Sequence, residues 1–197
     1  MSQDLLRISA DKSITWRRME FWRRTGFFTA PTATFRILFV LVVLSHDRRR
    51  LVHFNVTEHP TAGWTARQLV GACGLEETPG HLIRDRDQVY GERFSRQARA
   101  MNFREAVIAP RSLWQNAYAE RVIGSIRPEC LDHVVVIGER HLKRLLSEYV
   151  HYYTTRTHLS LAKDAPEPRS VQPPSQGRVV ETPRVGGLHH EYRRRAA

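Results

Sequence analysis

The sequence predicts an α/β fold in which a mixed five-stranded sheet is flanked by helices. A near-continuous apolar run over residues 35–44 is typical of a strand that is buried on both faces of such a sheet. A polar turn at residues 45–50 separates this run from a second apolar strand at residues 51–56, which predicts an antiparallel hairpin. Short strands that alternate with helices follow, and this order is typical of parallel strands.

The remaining elements are predicted from local periodicity and from start and stop signals. A short strand at residues 26–29 precedes the hairpin, and Thr61 begins a helix with Trp64, Gln68 and Leu69 at helical spacing. Pro128 is expected to interrupt the third helix, because proline removes a backbone donor and clashes with the preceding turn. The other predicted elements are a strand at 81–84, a helix at 91–101, a strand at 106–109, and helices at 114–127 and 139–155.

The amino-acid composition limits which binding partners and which cellular compartment are expected. Of the 197 residues, 31 are Lys or Arg and 20 are Asp or Glu, a formal net charge of +11 that favours a polyanionic partner. Solubility, or the arginine bias of a GC-rich genome, explains the same charge without a partner. Cys73 and Cys130 form no CxxC pair and are typical of reduced cysteines in an intracellular protein. The apolar run at residues 37–44 is too short to span a membrane, so a cytoplasmic location is expected.

Two carboxylates stand out in this basic chain. Asp85 ends a predicted strand, at the edge where open α/β sheets place their ligands, and Glu120 lies 35 positions later on a predicted helix. Carboxylate oxygens are the ligands that hard divalent cations prefer. Two acids brought together in a basic protein suggest divalent metal chemistry on phosphodiesters.

Three segments in the expected order carry a family resemblance. The segment LIRDRDQVYGERF contains Asp85, and IAPRSLWQNAYAERVIGSIRPECLDH contains Asn116 and Ala119-Glu120-Arg121. The third, YVHYYTTRTHLSL, lies at residues 149–161. Together they resemble the retroviral-integrase-like catalytic core of bacterial insertion-sequence transposases, a member of the RNase H-like DDE superfamily. The resemblance covers about residues 26–190.

The resemblance implies a function and a set of site residues. The family carries out metal-dependent strand transfer on DNA during integration and transposition, so Mg²⁺ or Mn²⁺, DNA and a homo-oligomer are the implied cofactors and partners. Asp85 and Glu120 are the implied catalytic acids and metal ligands. Five basic residues are candidate DNA contacts, with neutralisation of the acids or a solvated helix face as the alternative: Arg84, Arg86, Arg121, Lys143 and Arg144.

The chain departs from the family pattern at one catalytic position. The family's first aspartate stands immediately before a sequence like Phe27-Phe28-Thr29, and this chain has Gly26 there. Glycine has no side-chain oxygen, so the site is expected to lack one metal ligand and its catalysis to be impaired. The alternatives are a non-catalytic DNA-binding remnant of a transposase, an untranslated or unstable pseudogene product, and another RNase H-like nuclease.

Three segments are expected along the chain. Residues 1–25 are a basic leader, disordered or helical, that resembles nothing in the family, and a 5′-truncated element joined to foreign sequence is the expected origin. Residues 26–162 are the integrase-like catalytic core. Residues 163–197 are a Pro-rich basic tail, expected to be extended or disordered.

Overall fold

The computed structural model describes residues 22–73 and 80–196 of the chain. Five strands form the main sheet: β1 (Trp22–Pro31), β2 (Ile37–Ser45), β3 (Leu51–Thr57), β4 (His81–Arg84) and β5 (Arg104–Val107). Four α-helices accompany it: α1 (Ala62–Ala72), α2 (Glu92–Ala100), α3 (Ala117–Glu129) and α4 (Glu139–Thr155). A separate hairpin follows, formed by β6 (Arg178–Arg184) and β7 (His189–Arg195).

The main sheet is mixed, with the order β3-β2-β1-β4-β5. The first three strands pair antiparallel, whereas β4 pairs parallel with β1 and β5 pairs parallel with β4. Parallel pairing places the C-terminal ends of β4 and β5 at one edge of the sheet. The predicted α/β class and the mixed five-stranded sheet are therefore confirmed.

The apolar run of β2 is buried on both faces, as predicted. Leu38, Val40, Val42 and Leu44 pack against α3 and α4, whereas Leu41 and Val43 pack against α1 and α2. Side chains alternate between the faces of a strand, so a strand covered by helices on both sides needs an apolar residue at nearly every position. None of the helices in the two described ranges is long and apolar enough to cross a membrane.

Helix α3 runs alongside β1 in the same direction. At its N-terminal end the Arg24 guanidinium donates a hydrogen bond to the Gln115 carbonyl oxygen (2.9 Å). At its C-terminal end the Arg127 guanidinium donates one to the Thr29 carbonyl oxygen (3.3 Å). The first turn of α3 therefore lies beside the middle of β1.

Several predicted boundaries differ from the structure. β1 begins at Trp22, so the prediction that residues 22–25 are disordered or helical is wrong. The rest of the predicted leader, residues 1–21, lies outside the described ranges. Trp22 is buried and stacks near the His81 ring, with 4.5 Å between the centroids, because parallel pairing with β4 places it there. β5 lies two residues earlier than predicted.

Pro128 does not interrupt α3, which continues to Glu129. A proline at position i removes the hydrogen bond to the carbonyl at i−4, so Pro128 leaves one intrahelical bond unmade. Because Pro128 stands in the last turn, the helix ends one residue later and loses no further bonds.

The expectation of an extended or disordered tail is wrong for residues 178–195, where β6 and β7 form an antiparallel hairpin that docks on α4. The buried Glu191 carboxylate accepts hydrogen bonds from Arg184 (2.6 Å), from Arg193 and from the His151 ring (3.2 Å). The His189 ring stacks on Tyr152 with 4.1 Å between the centroids. The composition of this segment did not predict the hairpin, because the residues of α4 on which it docks are distant from it in the sequence.

Glu129, at the end of α3, joins two of the sequence motifs. Its carboxylate accepts hydrogen bonds from the Tyr149 hydroxyl (2.7 Å) and from the Arg156 guanidinium (3.0 Å). Burial, and next the negative Glu129 carboxylate, raise the pKa of Tyr149. The Tyr and Arg of the third motif therefore hold α4 against α3.

Glu129→Gln is expected to lower the free energy of unfolding by about 1.5 kcal/mol, because hydrogen bonds to a charged partner contribute more than neutral ones. Thermal melting followed by circular dichroism measures the change. Glu148→Gln on α4 is the matched control, and its Tm is expected to stay near that of the parent protein. Equal Tm values for the two variants would contradict the structural role of Glu129.

Candidate metal and nucleic-acid site

Asp85 directly follows β4, at the C-terminal edge of the parallel strands. β1 and β4 pair with Arg24 beside Ile83, and two more residues along each strand bring Gly26 level with Asp85. The Asp85 carboxylate accepts a hydrogen bond from the Asp87 backbone amide (3.0 Å). Burial nevertheless raises the pKa of Asp85 above its usual value.

Glu120 lies in the first turn of α3 and faces Asp85. Burial raises the pKa of the Glu120 carboxyl, and the negative charge of Asp85 raises it further. The structure thus brings the two predicted acids close enough to repel each other. A cation between them would remove this repulsion.

Gly26 lies in the middle of β1 and faces the same helix. A Cβ atom built there would stand 3.0 Å from Ile123 Cδ1 and 3.4 Å from Ala119 Cβ. A side chain at position 26 would therefore start against the first two turns of α3, the helix that carries Glu120. The close neighbour, Ile123 Cδ1, is the end of a flexible side chain and needs to move by a few tenths of an ångström.

Asn116 contributes a buried polar group one turn before Glu120. Its side-chain amide donates a hydrogen bond to the Thr25 carbonyl oxygen (2.8 Å), which ties the start of α3 to β1 next to Gly26. The Asn116 Oδ1 atom is buried and accepts no hydrogen bond from any described residue. Most buried acceptors have a hydrogen-bond partner. An oxygen without one among the protein groups can accept a hydrogen bond from a water molecule or bind a cation.

The oxygen atoms at these positions are of the types that bind hard divalent cations. Asp85, Glu120 and Asn116 offer carboxylate and amide oxygens, which Mg²⁺ and Mn²⁺ prefer. Within the described ranges, however, no group of three or more His, Cys, Asp or Glu residues is arranged to hold a metal ion. Gly26, which lies level with Asp85 in the neighbouring strand, supplies no side-chain oxygen.

Arg84 and Arg86 lie next to Asp85 in sequence but differ in their contacts. The Arg84 guanidinium forms an ion pair with Glu105 (2.6 Å), and both side chains are largely buried. It also lies over the ring of Tyr90, on the α2 side of the sheet, so the structure does not present Arg84 to a ligand beside Asp85. Arg86 is exposed and donates to the Ile108 carbonyl oxygen (3.0 Å).

The other candidate DNA contacts are distributed along α3 and α4. Arg121 is exposed beside Glu120, and its charge acts on Tyr153 near the end of α4. Lys143 pairs with Glu139 (2.9 Å), and Arg144 is exposed. Lys143 precedes Tyr153 by ten residues, or about 15 Å along a helix. Arg121 is therefore adjacent to Glu120 on α3, whereas Lys143 and Arg144 lie in the N-terminal half of α4, away from Tyr153.

Sequence reasoning missed a basic and aromatic cluster beside Glu120. Arg24 and Arg49 both lie over the Tyr118 ring, with their Cζ atoms 5.0 Å and 4.4 Å from its centroid. Arg24 Nε donates to His46 Nδ1 (3.2 Å). Burial, and then the positive charges of Arg24 and Arg49, lower the pKa of His46 to about 4. The only sequence signal was the arginine-rich turn at residues 48–50.

Comparison with known proteins agrees with the fold. Residues 101–166, which include Glu120, match the family described as "Integrase core domain". A comparison of the sequence with curated proteins gives no match.

Solved structures of viral integrases and of a transposase resemble the chain. A chain of the simian T-cell lymphotropic virus intasome matches with a TM-score of 0.63 and 11% identity over 86% of this chain. The catalytic domain of Mos1 mariner transposase matches with a TM-score of 0.60 and 11% identity over 76% of each chain, and it is also known with raltegravir and Mg or Mn. The catalytic core domain of BIV integrase gives 0.51 and 12% over 75% of this chain and 91% of that one. The chain spans 65% of the intasome chain.

Proposed function

We propose that this chain, whose fold resembles integrase and transposase catalytic cores, is a DNA-binding polynucleotidyl-transferase core with an incomplete metal site. The proposal is supported by the position of Asp85 at the C-terminal edge of β4, level with Gly26, and by its electrostatic effect on Glu120 in α3. A cation bound between the two carboxylates would relieve this repulsion, and Gly26 supplies no third ligand.

Duplex DNA is the proposed substrate class. The net charge of +11 supports a polyanionic partner. Arg86 and Arg121 are exposed next to Asp85 and Glu120, where they are suited to hold the phosphates on either side of a reacting phosphodiester. Integration and transposition are the processes in which such a core acts.

The chemistry of the site follows from its donors. A divalent cation held by Asp85 and Glu120, with Asn116 Oδ1 as a further oxygen donor, would stabilise negative charge on the phosphodiester oxygens. Asn116 also fixes α3 against β1 through Thr25, which sets the position of Glu120. Without a carboxylate at Gly26 the attacking and leaving oxygens are not both stabilised, so strand transfer by the present sequence is strongly impaired.

A second candidate is a DNA-binding protein without catalysis. The absent carboxylate at Gly26 favours it, because this change removes a metal ligand and leaves the exposed arginines in place. Both candidates predict DNA binding that weakens steeply with added salt. They differ in whether the two acids hold a metal ion.

Metal binding tests the proposal without requiring turnover. The protein is expected to bind one Mn²⁺, and Asp85→Asn or Glu120→Gln is expected to weaken binding at least about tenfold, since each removes a charged ligand. Isothermal titration with MnCl₂ measures the affinity. Asp87→Asn is the control, because this exposed acid caps the following turn through Val89 and is expected to change affinity little. Equal affinities in all three variants would refute a metal site at Asp85 and Glu120.

A further inference from the structure

The cluster around Tyr118 contains more positive charge than its surroundings neutralise. Arg24 and Arg49 both lie over the Tyr118 ring. Arg24 is held by His46 Nδ1 and by the Gln115 carbonyl oxygen. In the described part of the chain neither arginine forms an ion pair with a carboxylate. Clustered guanidinium groups without acids are typical of sites that receive an anion.

The turn that carries Arg49 is strained and tethered. Arg48 and Arg49 both have positive φ values, 48° and 54°, a left-handed backbone conformation that is strained for residues other than glycine. Arg48 is tied down by the Asp164 carboxylate (2.5 Å) and by the carbonyl oxygens of Ala165 and Pro166. The segment after α4 therefore holds the turn in this conformation, and Arg49 is fixed over Tyr118.

Arg49 and Arg121 approach the same place from different elements. Arg49 comes from the turn between β2 and β3, and Arg121 follows Glu120 on α3. The charges of both act on Tyr153, near the end of α4. Among the described residues, neither guanidinium has a carboxylate partner. Arg49 lies over the Tyr118 ring, and Arg121 follows Tyr118 by three positions on α3, so both guanidinium groups stand on the same part of the helix surface, at its first turn.

We propose that Arg49 and Arg121 bind one backbone phosphate of the DNA strand that passes Glu120, with Tyr118 and Arg24 holding Arg49 in position. A planar guanidinium matches a phosphate group with two parallel hydrogen bonds. The contact positions the strand and carries no base information. The proposal rests on the proposed function only in that the ligand is DNA; it requires neither a bound metal nor catalysis.

The test compares two neighbouring arginines of the same turn. Arg49→Gln is expected to weaken binding of a short fluorescent DNA duplex about tenfold, the loss typical of a charged hydrogen bond. It is also expected to reduce the slope of log K against log[salt] by about one, because one phosphate contact is lost. Arg50→Gln removes the same charge from an exposed side chain one position later, and its affinity is expected to stay within about twofold. Fluorescence anisotropy in the absence of divalent metal measures both quantities.

A second variant covers the case in which Arg49→Gln disturbs the turn. Arg121→Gln changes an exposed helix residue and is expected to give the same loss of affinity and of salt slope. Equal affinities of Arg49→Gln and Arg50→Gln, in proteins with equal Tm values, would overturn the inference, as would a parent protein that does not bind DNA. If the parent protein does not bind Mn²⁺ but Arg49→Gln still weakens DNA binding, the metal site is refuted and this inference stands.

Discussion

Gly26→Asp is expected to give the protein nicking activity on duplex DNA in Mg²⁺ or Mn²⁺, at least about a hundredfold above the parent protein. An increase of about a hundredfold is expected because a single electrostatic group that stabilises charge in a transition state typically contributes at least this much to the rate. The new carboxylate would start at a Cβ next to Ala119, beside Glu120, and would complete a set of three acids. Conversion of supercoiled plasmid to the open circle, with and without EDTA, measures the activity.

Gly26→Ala is the matched control for this experiment. It places the same Cβ against Ile123 Cδ1 but supplies no ligand oxygen, so no nicking is expected. Asp85→Ala in the Gly26→Asp background is expected to remove the activity again. A Gly26→Asp protein that is folded, binds Mn²⁺ more tightly and still does not nick DNA would favour the non-catalytic function.

Glu191→Gln is expected to lower the free energy of unfolding by about 2 kcal/mol at pH 7 and to have little effect near pH 2. Burial alone would raise the pKa of the Glu191 carboxyl, but hydrogen bonds from Arg184, Arg193 and His151 outweigh it and lower the pKa from 4.5 to about 2. A carboxyl with a lowered pKa in the folded state stabilises it above pH 4.5, and this contribution disappears as the pH falls through 4.5 to about 2. The magnitude is reduced for screening, because the arginine partners are partly exposed.

Urea unfolding at a series of pH values measures this prediction. The stabilities of the parent protein and of Glu191→Gln are expected to converge between pH 4.5 and pH 2. Glu181→Gln, in the same hairpin, serves as the control, since its ion pair with His190 is exposed and is expected to contribute little. A difference between parent and Glu191→Gln that is constant with pH would refute the role of the ionised carboxylate.

The main sheet was predictable because its signals are local. The run at residues 35–44 contains apolar side chains for both faces of β2, and α4 carries one apolar stripe that predicts its bounds. Helix α1 begins after Thr61, whose hydroxyl accepts the hydrogen bond from the Trp64 amide. Such patterns involve residues that are close together in the chain, so they can be recognised in the sequence.

The contacts of the charged residues were not predictable in the same way. Arg84 precedes Asp85 by one position, yet it pairs with Glu105 across the sheet. Arg49 belongs to the polar turn predicted at residues 45–50, yet it lies over Tyr118, which is 69 positions later. The partner of a long charged side chain depends on which elements pack beside it, and local periodicity does not specify this.

By itself the sequence determined the α/β class, the order of the elements and the identity of two acids and one glycine. Hydrophobic periodicity and motif spacing carry this information because they depend only on nearby residues. The tertiary structure decided that Asp85 lies level with Gly26, that Gly26 faces the helix that carries Glu120, and that Arg49 lies over Tyr118 of the same helix. These relations depend on the parallel pairing of β1 with β4 and on the packing of α3 along β1, which bring together residues from distant parts of the chain.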